Sequence, residues 1–415
     1  MKKLILSYPG GNENVRASLR ALQGAGMLAR FCTTLAWRDD GKLARLLPAG
    51  LRAELRRRGF PGIDQRFITR FPAQEMTRQA LRRIGLSGLT NRKEGWTSVH
   101  GVSGGLDRAV ASLIAGGGID AQAVYTYEHC ARRSFAAARA KRLKCLYELT
   151  TGYWRVAAEL FEEERQRQPE WSATIEAASD SPAKLAEKDA ELSAADHVVV
   201  PSNFVRDTLK RHPNLTATID VIPYGAPAPR AAVPEAAPPG TPLRLLYVGH
   251  LTQRKGVAYL FEAMEKLKGA ATLTLVGAKP SVPCPALERA LGRHNWLGRV
   301  THDRVLEIMQ RHDVFVFPSL FEGFGLVILE AMAQGLPVIA TPNGGGPMVV
   351  ADGTDGFIVP IRDADAIAER LMRLHGDRAL LAAMKAAALD TARRNSWANY
   401  EHEFIRAVQA RLGAG

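Results

Sequence analysis

The sequence predicts an α/β protein of two doubly wound, Rossmann-like domains, on three observations. Short apolar runs of strand length, among them Leu4 to Ser7, Ala123 to Tyr127, Leu243 to Val248 and Val314 to Phe317, are each followed by a turn and a stretch of helical length, the pattern of parallel strands joined by crossover helices. That pattern breaks at Ala226 to Pro242, a segment rich in Pro and Ala and too poor in large apolar residues to pack, and restarts at Leu243. The 415 residues suit two or three domains with large cores. We therefore place a first domain over 1–225, a linker over 226–242, a second domain over 243–395 and a final helical segment over 396–415.

In the first domain, the strand Leu4 to Ser7 ends in Tyr8-Pro9-Gly10-Gly11-Asn12, and Val15 to Leu28 reads as a helix closing at Gly26. A strand, a glycine turn and a helix start form a loop that suits phosphate, although the spacing is not the dinucleotide fingerprint and a tight turn without a ligand explains it equally. Lys42 to Lys93 is densely basic, and Leu43, Leu46, Leu47, Leu51 and Leu55 recur among its arginines at near-helical spacing. The stretch is a candidate contact for an anionic membrane, against the alternative of a solvated helix face. Val102 to Ala115 reads as a helix. Glu128 and His129 follow the strand Ala123 to Tyr127, at the end where open α/β sheets place ligand residues. Cys130 to Lys141 (helix), Lys144 to Leu149 (strand), the charged helices Glu159 to Glu170 and Ser181 to Ser193, and the strands at Val198 to Val200 and Ile219 to Tyr224 complete the domain.

The second domain opens with Leu243 to Val248, then Gly249-His250-Leu251-Thr252-Gln253-Arg254-Lys255-Gly256 and a helix from Val257. Two adjacent cations, Arg254 and Lys255, between a strand and a helix start suit a diphosphate, or else form an exposed, solvated loop. Strands follow at Leu273 to Gly277 and Trp296 to Val300. Val314 to Phe317 is a strand, Leu326 to Gln334 a helix stopped by Gly335, and Val338 to Ala340 another strand. That helix is apolar almost all round yet carries Glu330. A buried carboxylate without partners costs several kcal/mol, so Glu330 needs donors, and a ribose diol offers two. Glu322 stands just before the helix, where Gly323, Phe324 and Gly325 present backbone N–H groups. Asn343 to Gly346 reads as a flexible turn, Gly356 to Val359 as the last strand, Asp363 to His375 and Arg378 to Arg394 as helices, and Trp397 and Tyr400 open a final amphipathic helix.

Composition narrows the class. Hydrophobic residues at 46% and charged residues at 23% are those of a globular protein, and no apolar run approaches membrane-spanning length. Met1-Lys2-Lys3 leads into a strand rather than a signal peptide, so a cytoplasmic location is expected, with peripheral contact at the inner membrane surface as the further candidate. Cys32, Cys130, Cys145 and Cys284 have neither zinc nor disulfide spacing and read as reduced thiols. A net charge of +13 favours anionic partners, and the absence of a basic stretch interleaved with aromatics in a recognised module argues against nucleic acid.

The run Pro318-Ser319-x-x-Glu322-Gly323-Phe324-Gly325-x-x-x-x-Glu330-Ala331-Met332-Ala333-x-Gly335-x-Pro337-Val338 resembles the signature of the retaining glycosyltransferases of family 4. The resemblance covers most of the C-terminal half and, more weakly, the rest. It implies the GT-B fold, with a cleft between the domains and the last helix crossing back onto the first. It also implies sugar transfer from a nucleotide-diphosphate donor to a hydroxyl acceptor, anionic or lipid-linked among the candidates, without metal or cofactor. By resemblance Glu322, Lys255 and Arg254 are catalytic. Gly10, Gly11, Gly249, Gly298, Val300, Gly323, Phe324, Gly325, Leu326 and Glu330 border the donor. Two departures stand out. His250 replaces the family's usual arginine, a role Arg254 could take over, and Leu149-Thr150-Thr151 lacks the histidine many members carry, which leaves Glu128 and His129 as acceptor-side candidates. The rival readings are a nucleotide-sugar epimerase on the same fold and a non-catalytic nucleotide-sugar-binding protein. A dehydrogenase is disfavoured because no dinucleotide fingerprint with its acidic residue is present.

Overall fold

In the computed structural model, which describes residues 2–38, 52, 55–90, 95–175, 180–235 and 238–413, two parallel sheets lie one after the other along the chain. The first holds β1 (Leu4–Ser7), β2 (Leu28–Thr33), β3 (Ile68–Arg70), β4 (Ala123–Tyr127), β5 (Lys144–Glu148), β6 (His197–Val200) and β7 (Thr218–Val221). The second holds β8 (Leu243–Val248), β9 (Ala271–Val276), β10 (Asn295–Trp296), β11 (Val314–Phe317), β12 (Val338–Ala340) and β13 (Gly356–Ile358). Their orders are β3-β2-β1-β4-β5-β6-β7 and β10-β9-β8-β11-β12-β13. Every residue of β1, β4, β6 and β11 is buried, as expected where helices cover both faces of a parallel sheet. In each sheet the strand order reverses, at β1/β4 and at β8/β11, and the crevice beyond the carboxyl ends at such a point is where open α/β sheets bind ligands.

Several elements differ from the sequence expectation. The first helix is Glu13–Gly24, not Val15 to Leu28. Gly26, at φ +66, turns the chain, and Leu28 already begins β2, a strand disguised in the sequence by Arg30. The basic stretch contains β3 and the helix Ala73–Arg83, while Leu43, Leu46, Leu47 and Leu51 lie outside the described residues. The charged helix is Trp154–Arg167, because Pro169 at the next turn starts a separate 3-10 segment, Pro169–Thr174. Only Asn295–Trp296 of the run to Val300 is strand. Asn343 to Gly346 is no loose turn: Gly346–Val349 is a short helix, and a Cβ on Gly345 would stand 2.4 Å from the Phe324 ring.

Each half of the chain sends one element onto the other. The helix Trp397–Gly413 lies along Glu13–Gly24, where the Tyr400 and Ser18 hydroxyls are 2.9 Å apart and Phe404 packs edge-on against Tyr125 with ring centroids at 5.3 Å. Burial of each such ring contributes about 1.5–3 kcal/mol. In the opposite direction, Trp171 stacks on Phe261 at 5.8 Å within the second domain's core. Glu164, fully buried, accepts from Gln253 Nε2 at 2.7 Å, Tyr259 Oη at 2.8 Å and Arg362 Nε at 2.7 Å. These reciprocal contacts fix the two sheets relative to each other and so shape the cleft.

Candidate active site

Two loops of the second domain, one after β8 and one after β11, meet at the cleft. The first makes a single 3-10 turn, Gln253–Lys255, and then Gly256 at φ +68 starts the next helix. A Cβ there would lie 2.0 Å from the carbonyl oxygen of Pro318, so the two loops approach this closely only around glycine. Lys255 Nζ consequently sits 5.0 Å over the Phe317 ring and in contact with Glu322 Oε2. Burial pulls the Lys255 ammonium down to about 7, with the like charge of Arg254 acting in the same sense. The touching Glu322 carboxylate works in the opposite sense. Glu322 Oε1 accepts from the N–H of Gly323 at 3.1 Å and lies 3.8 Å from Arg254 Nη2. Arg254 Nε donates to the Phe321 carbonyl at 3.0 Å, so its guanidinium braces the loop.

The helix Leu326–Ala333 starts at Gly325, φ +84, and carries Glu330 with its side chain 22% exposed. His302 Nδ1 lies 3.9 Å from its carboxylate. Burial raises the Glu330 carboxyl above its ordinary value, opposed by His302. A cavity of about 570 Å³ brings Lys255, Glu322 and Glu330 together with Gly249, His250, Phe324, Gly325 and Leu326. The first domain supplies Asn12, Asn14, Thr150 and Tyr224 to its other wall. A neighbouring space of about 480 Å³ continues past Glu330 and His302 to Glu13, Arg16 and Trp397.

At Gly323 the two domains approach closely. Its carbonyl accepts from Ser202 Oγ at 2.6 Å, and a Cβ on it would stand 1.9 Å from the Thr150 carbonyl oxygen. Thr150 therefore holds the strand end where the family's histidine was expected, and it lines the cavity.

Behind this wall stands a group that sequence reasoning missed. Glu148, at the end of β5, is fully buried and accepts from Tyr125 Oη at 2.7 Å, Tyr224 Oη at 2.8 Å and Asn14 Nδ2 at 3.1 Å. Burial raises its carboxyl, and the tyrosine and asparagine donors hold it back. One acid at the carboxyl end of an apolar strand was the available signal, the same logic that singled out Glu330. His302 was also overlooked, for it opens an exposed helix with no motif around it.

Other sequence candidates lie elsewhere. Gly10 and Gly11 form the turn after β1, but Asn12 and Asn14, not the glycines, line the cavity. Gly298 accepts at its carbonyl from Gly277 N–H at 2.8 Å, and Val300 packs against the core; neither lines the cavity. Glu128 and His129 are turned to the helix Pro182–Ala194. Lys188 Nζ is 3.4 Å from Glu128, and Glu191 accepts from the His129 N–H at 2.8 Å. His129 sits at φ +71, and burial, reinforced by Lys188, drives its imidazole down to about 3. Neither residue lines the cleft cavity. Arg254 is likewise absent from its lining, whereas Arg299 Nη2 is 3.5 Å from His250 Nε2, bringing a cation beside the position where the family's arginine was expected.

Residues 242–377 match the family model for glycosyl transferases group 1. An uncharacterized glycosyltransferase of Methanocaldococcus jannaschii is 34% identical over 170 residues, which are 39% of this chain and 43% of that protein. The matched stretch thus spans less than half the length of that relative. Among solved structures, sucrose-phosphate synthase from Thermosynechococcus elongatus superposes with a TM-score of 0.65 at 20% identity, covering 100% of both chains. Anabaena HepE in complex with UDP gives 0.63 at 16% identity, over 99% of this chain and 100% of that one. The fold is that of the GT-B glycosyltransferases, and the second domain is similar to the glycosyl transferases group 1.

Proposed function

We propose that the protein transfers a sugar from a nucleoside-diphosphate donor to a hydroxyl acceptor, retaining the configuration at the anomeric carbon and using no metal ion. The observation that carries this reading is a single cavity, at the switch points of both sheets, that holds the half-buried Lys255 against Glu322 and a second half-buried carboxylate at Glu330. Glu330 accepts from the ribose diol. The diphosphate takes Glu322's place against Lys255, and the carboxylate so released turns to the sugar hydroxyls. The UDP bound by the similar Anabaena protein supports a uridine nucleotide as the first donor to try.

In the reaction the bond from the anomeric carbon to the donor phosphate oxygen breaks, and the diphosphate leaves with the electron pair. The acceptor oxygen bonds to the same face of that carbon, and its proton passes to the departing phosphate oxygen. Negative charge builds on the diphosphate as the bond lengthens, so a fixed ammonium at Lys255 favours the transition state over the bound donor. Because that charge is met by the protein's own cation, chelator-treated protein is expected to keep its activity.

The test is a thermal-shift series with UDP, GDP and ADP, followed by NMR of the matching nucleotide sugars. A diphosphate at a hundred times its Kd adds about 2.7 kcal/mol of apparent stability. Release of nucleoside diphosphate with the sugar's anomeric signal retained is the expected result. A protein that binds nucleotide sugars without cleaving them in the presence of any hydroxyl acceptor contradicts it.

A further inference from the structure

Of the ten large apolar side chains that stand exposed among the described residues, six fall between positions 76 and 99: Met76, Ile84, Leu86, Leu89, Trp96 and Val99. They lie on one helix of the first domain and on the segments that follow it, which together form a platform. Met76, Ala80 and Ile84 follow each other at helical spacing on the outer side of Ala73–Arg83, whose buried residue, Glu75, faces inward. Leu86 and Leu89 continue from that helix's end. Thr97 Oγ1 donates to the Leu89 carbonyl at 3.1 Å, and Gln74 Nε2 donates to the Trp96 carbonyl at 3.0 Å, which ties both loops to the same helix.

Among the described residues the charge around the platform is mainly basic. Arg82 and Arg83 stand exposed on the helix itself. At the platform's edge Trp96 also borders a cavity of about 400 Å³ to which His100, Arg108, Arg132 and Arg133 contribute, with Glu187 as its acid. Asp107 approaches Arg133 at 3.9 Å, and Glu187 approaches His100 at 3.4 Å. A chain of net charge +13 that gathers arginines around exposed apolar side chains repels a second copy of itself and fits a surface that is both apolar and anionic. Among the described residues no helix is long and apolar enough to cross a membrane, so the contact is with the bilayer's face.

We propose that this platform docks on an anionic lipid bilayer, with Ile84, Leu86, Leu89 and Trp96 entering the headgroup boundary and the surrounding arginines meeting lipid phosphates. This surface overlaps the basic stretch Lys42 to Lys93 singled out in the sequence, but not its leucine stripe. It is also independent of the reading of the cleft, because adsorption needs no donor and no turnover.

The experiment is co-sedimentation of the full chain with vesicles of equal parts phosphatidylcholine and phosphatidylglycerol, and with phosphatidylcholine alone. Binding to the mixed vesicles, weakening as salt is raised, and little binding to the neutral ones is the expected result. The pair Arg82→Gln and Arg83→Gln should weaken binding roughly 10–30-fold, on the scale of one phosphate-facing cation each. The pair Leu89→Ser and Trp96→Ser should weaken it at high and low salt alike. Both variants replace exposed side chains, and an unchanged melting temperature and circular-dichroism spectrum relative to the parent serve as the folding control. Failure of the parent to sediment with the mixed vesicles at low salt overturns the proposal. So does an apolar variant that binds like the parent, or light scattering showing a dimer that the apolar substitutions dissolve, which would make the occupant a second copy.

Discussion

Glu330 concentrates the residue-scale logic of the site: one carboxylate in a buried apolar helix, raised above its ordinary value by burial and faced by His302 at 3.9 Å. Glu330→Gln keeps the shape and removes the charged acceptor. Donor affinity should fall by the 1.5–3 kcal/mol of a hydrogen bond to a charged group, about 10–150-fold, as titration calorimetry would record. The sign with pH follows from the raised pKa. The carboxylate is lost as pH falls through a value above the ordinary 4.5, so donor binding should begin to weaken at a higher pH than an exposed glutamate would give, and the Gln variant should lack that step. Glu330, Glu322 and Lys255, which the structure brings to one cavity, drew attention in the sequence because each is a charge in an apolar or glycine-rich setting. Glu148 was passed over although its setting is similar, since its tyrosine and asparagine partners come from positions 14, 125 and 224, far apart in the chain. Glu128 and His129 drew attention for standing at a strand end, but position along a strand does not fix which way a side chain turns, and the neighbouring helix captured both.

At the scale of elements, the loops after β8 and β11 depend on backbone proximity as much as on side chains. Gly323 packs against the Thr150 carbonyl with no room for a methyl group. Gly323→Ala should therefore hold the two domains apart at the cleft while leaving each sheet intact. Its expected signature is a large loss of turnover with unchanged circular dichroism, and small-angle scattering would show a wider particle; full activity would contradict the tight approach. The strands of the second domain were readable because they are short, apolar and bounded by glycine or proline. β2 and β3 were not, because Arg30 and Arg70 break their apolar runs and their pairing is with β1 and with each other, a relation that local pattern does not carry.

For the whole molecule, the two domains are held by exchanged elements and by an ion-pair cluster in which Arg362 meets the buried Glu164 across the domain boundary at 2.7 Å and the exposed Glu163 at 2.8 Å. Arg362→Ala leaves Glu164 buried without its cation and should cost about 3–5 kcal/mol in denaturant unfolding. A loss below 1 kcal/mol would mean that Gln253 and Tyr259 satisfy the carboxylate alone. The crossing of the last helix, implied by the resemblance, is present, but the return exchange was not legible, because Glu159 to Glu170 reads as an ordinary charged surface helix until Trp171 is seen stacked on Phe261. These contacts hold Lys255 in the cleft, where the proposed function has it meet a departing diphosphate. The most direct test of that claim is to measure turnover at saturating donor, and the donor Kd separately, for Lys255→Ala. Turnover should fall by roughly 10²–10³, the usual cost of losing one preorganised contact to developing charge, with a much smaller change in Kd. Turnover equal to the parent's at saturating donor would contradict the assignment of Lys255 to the leaving group.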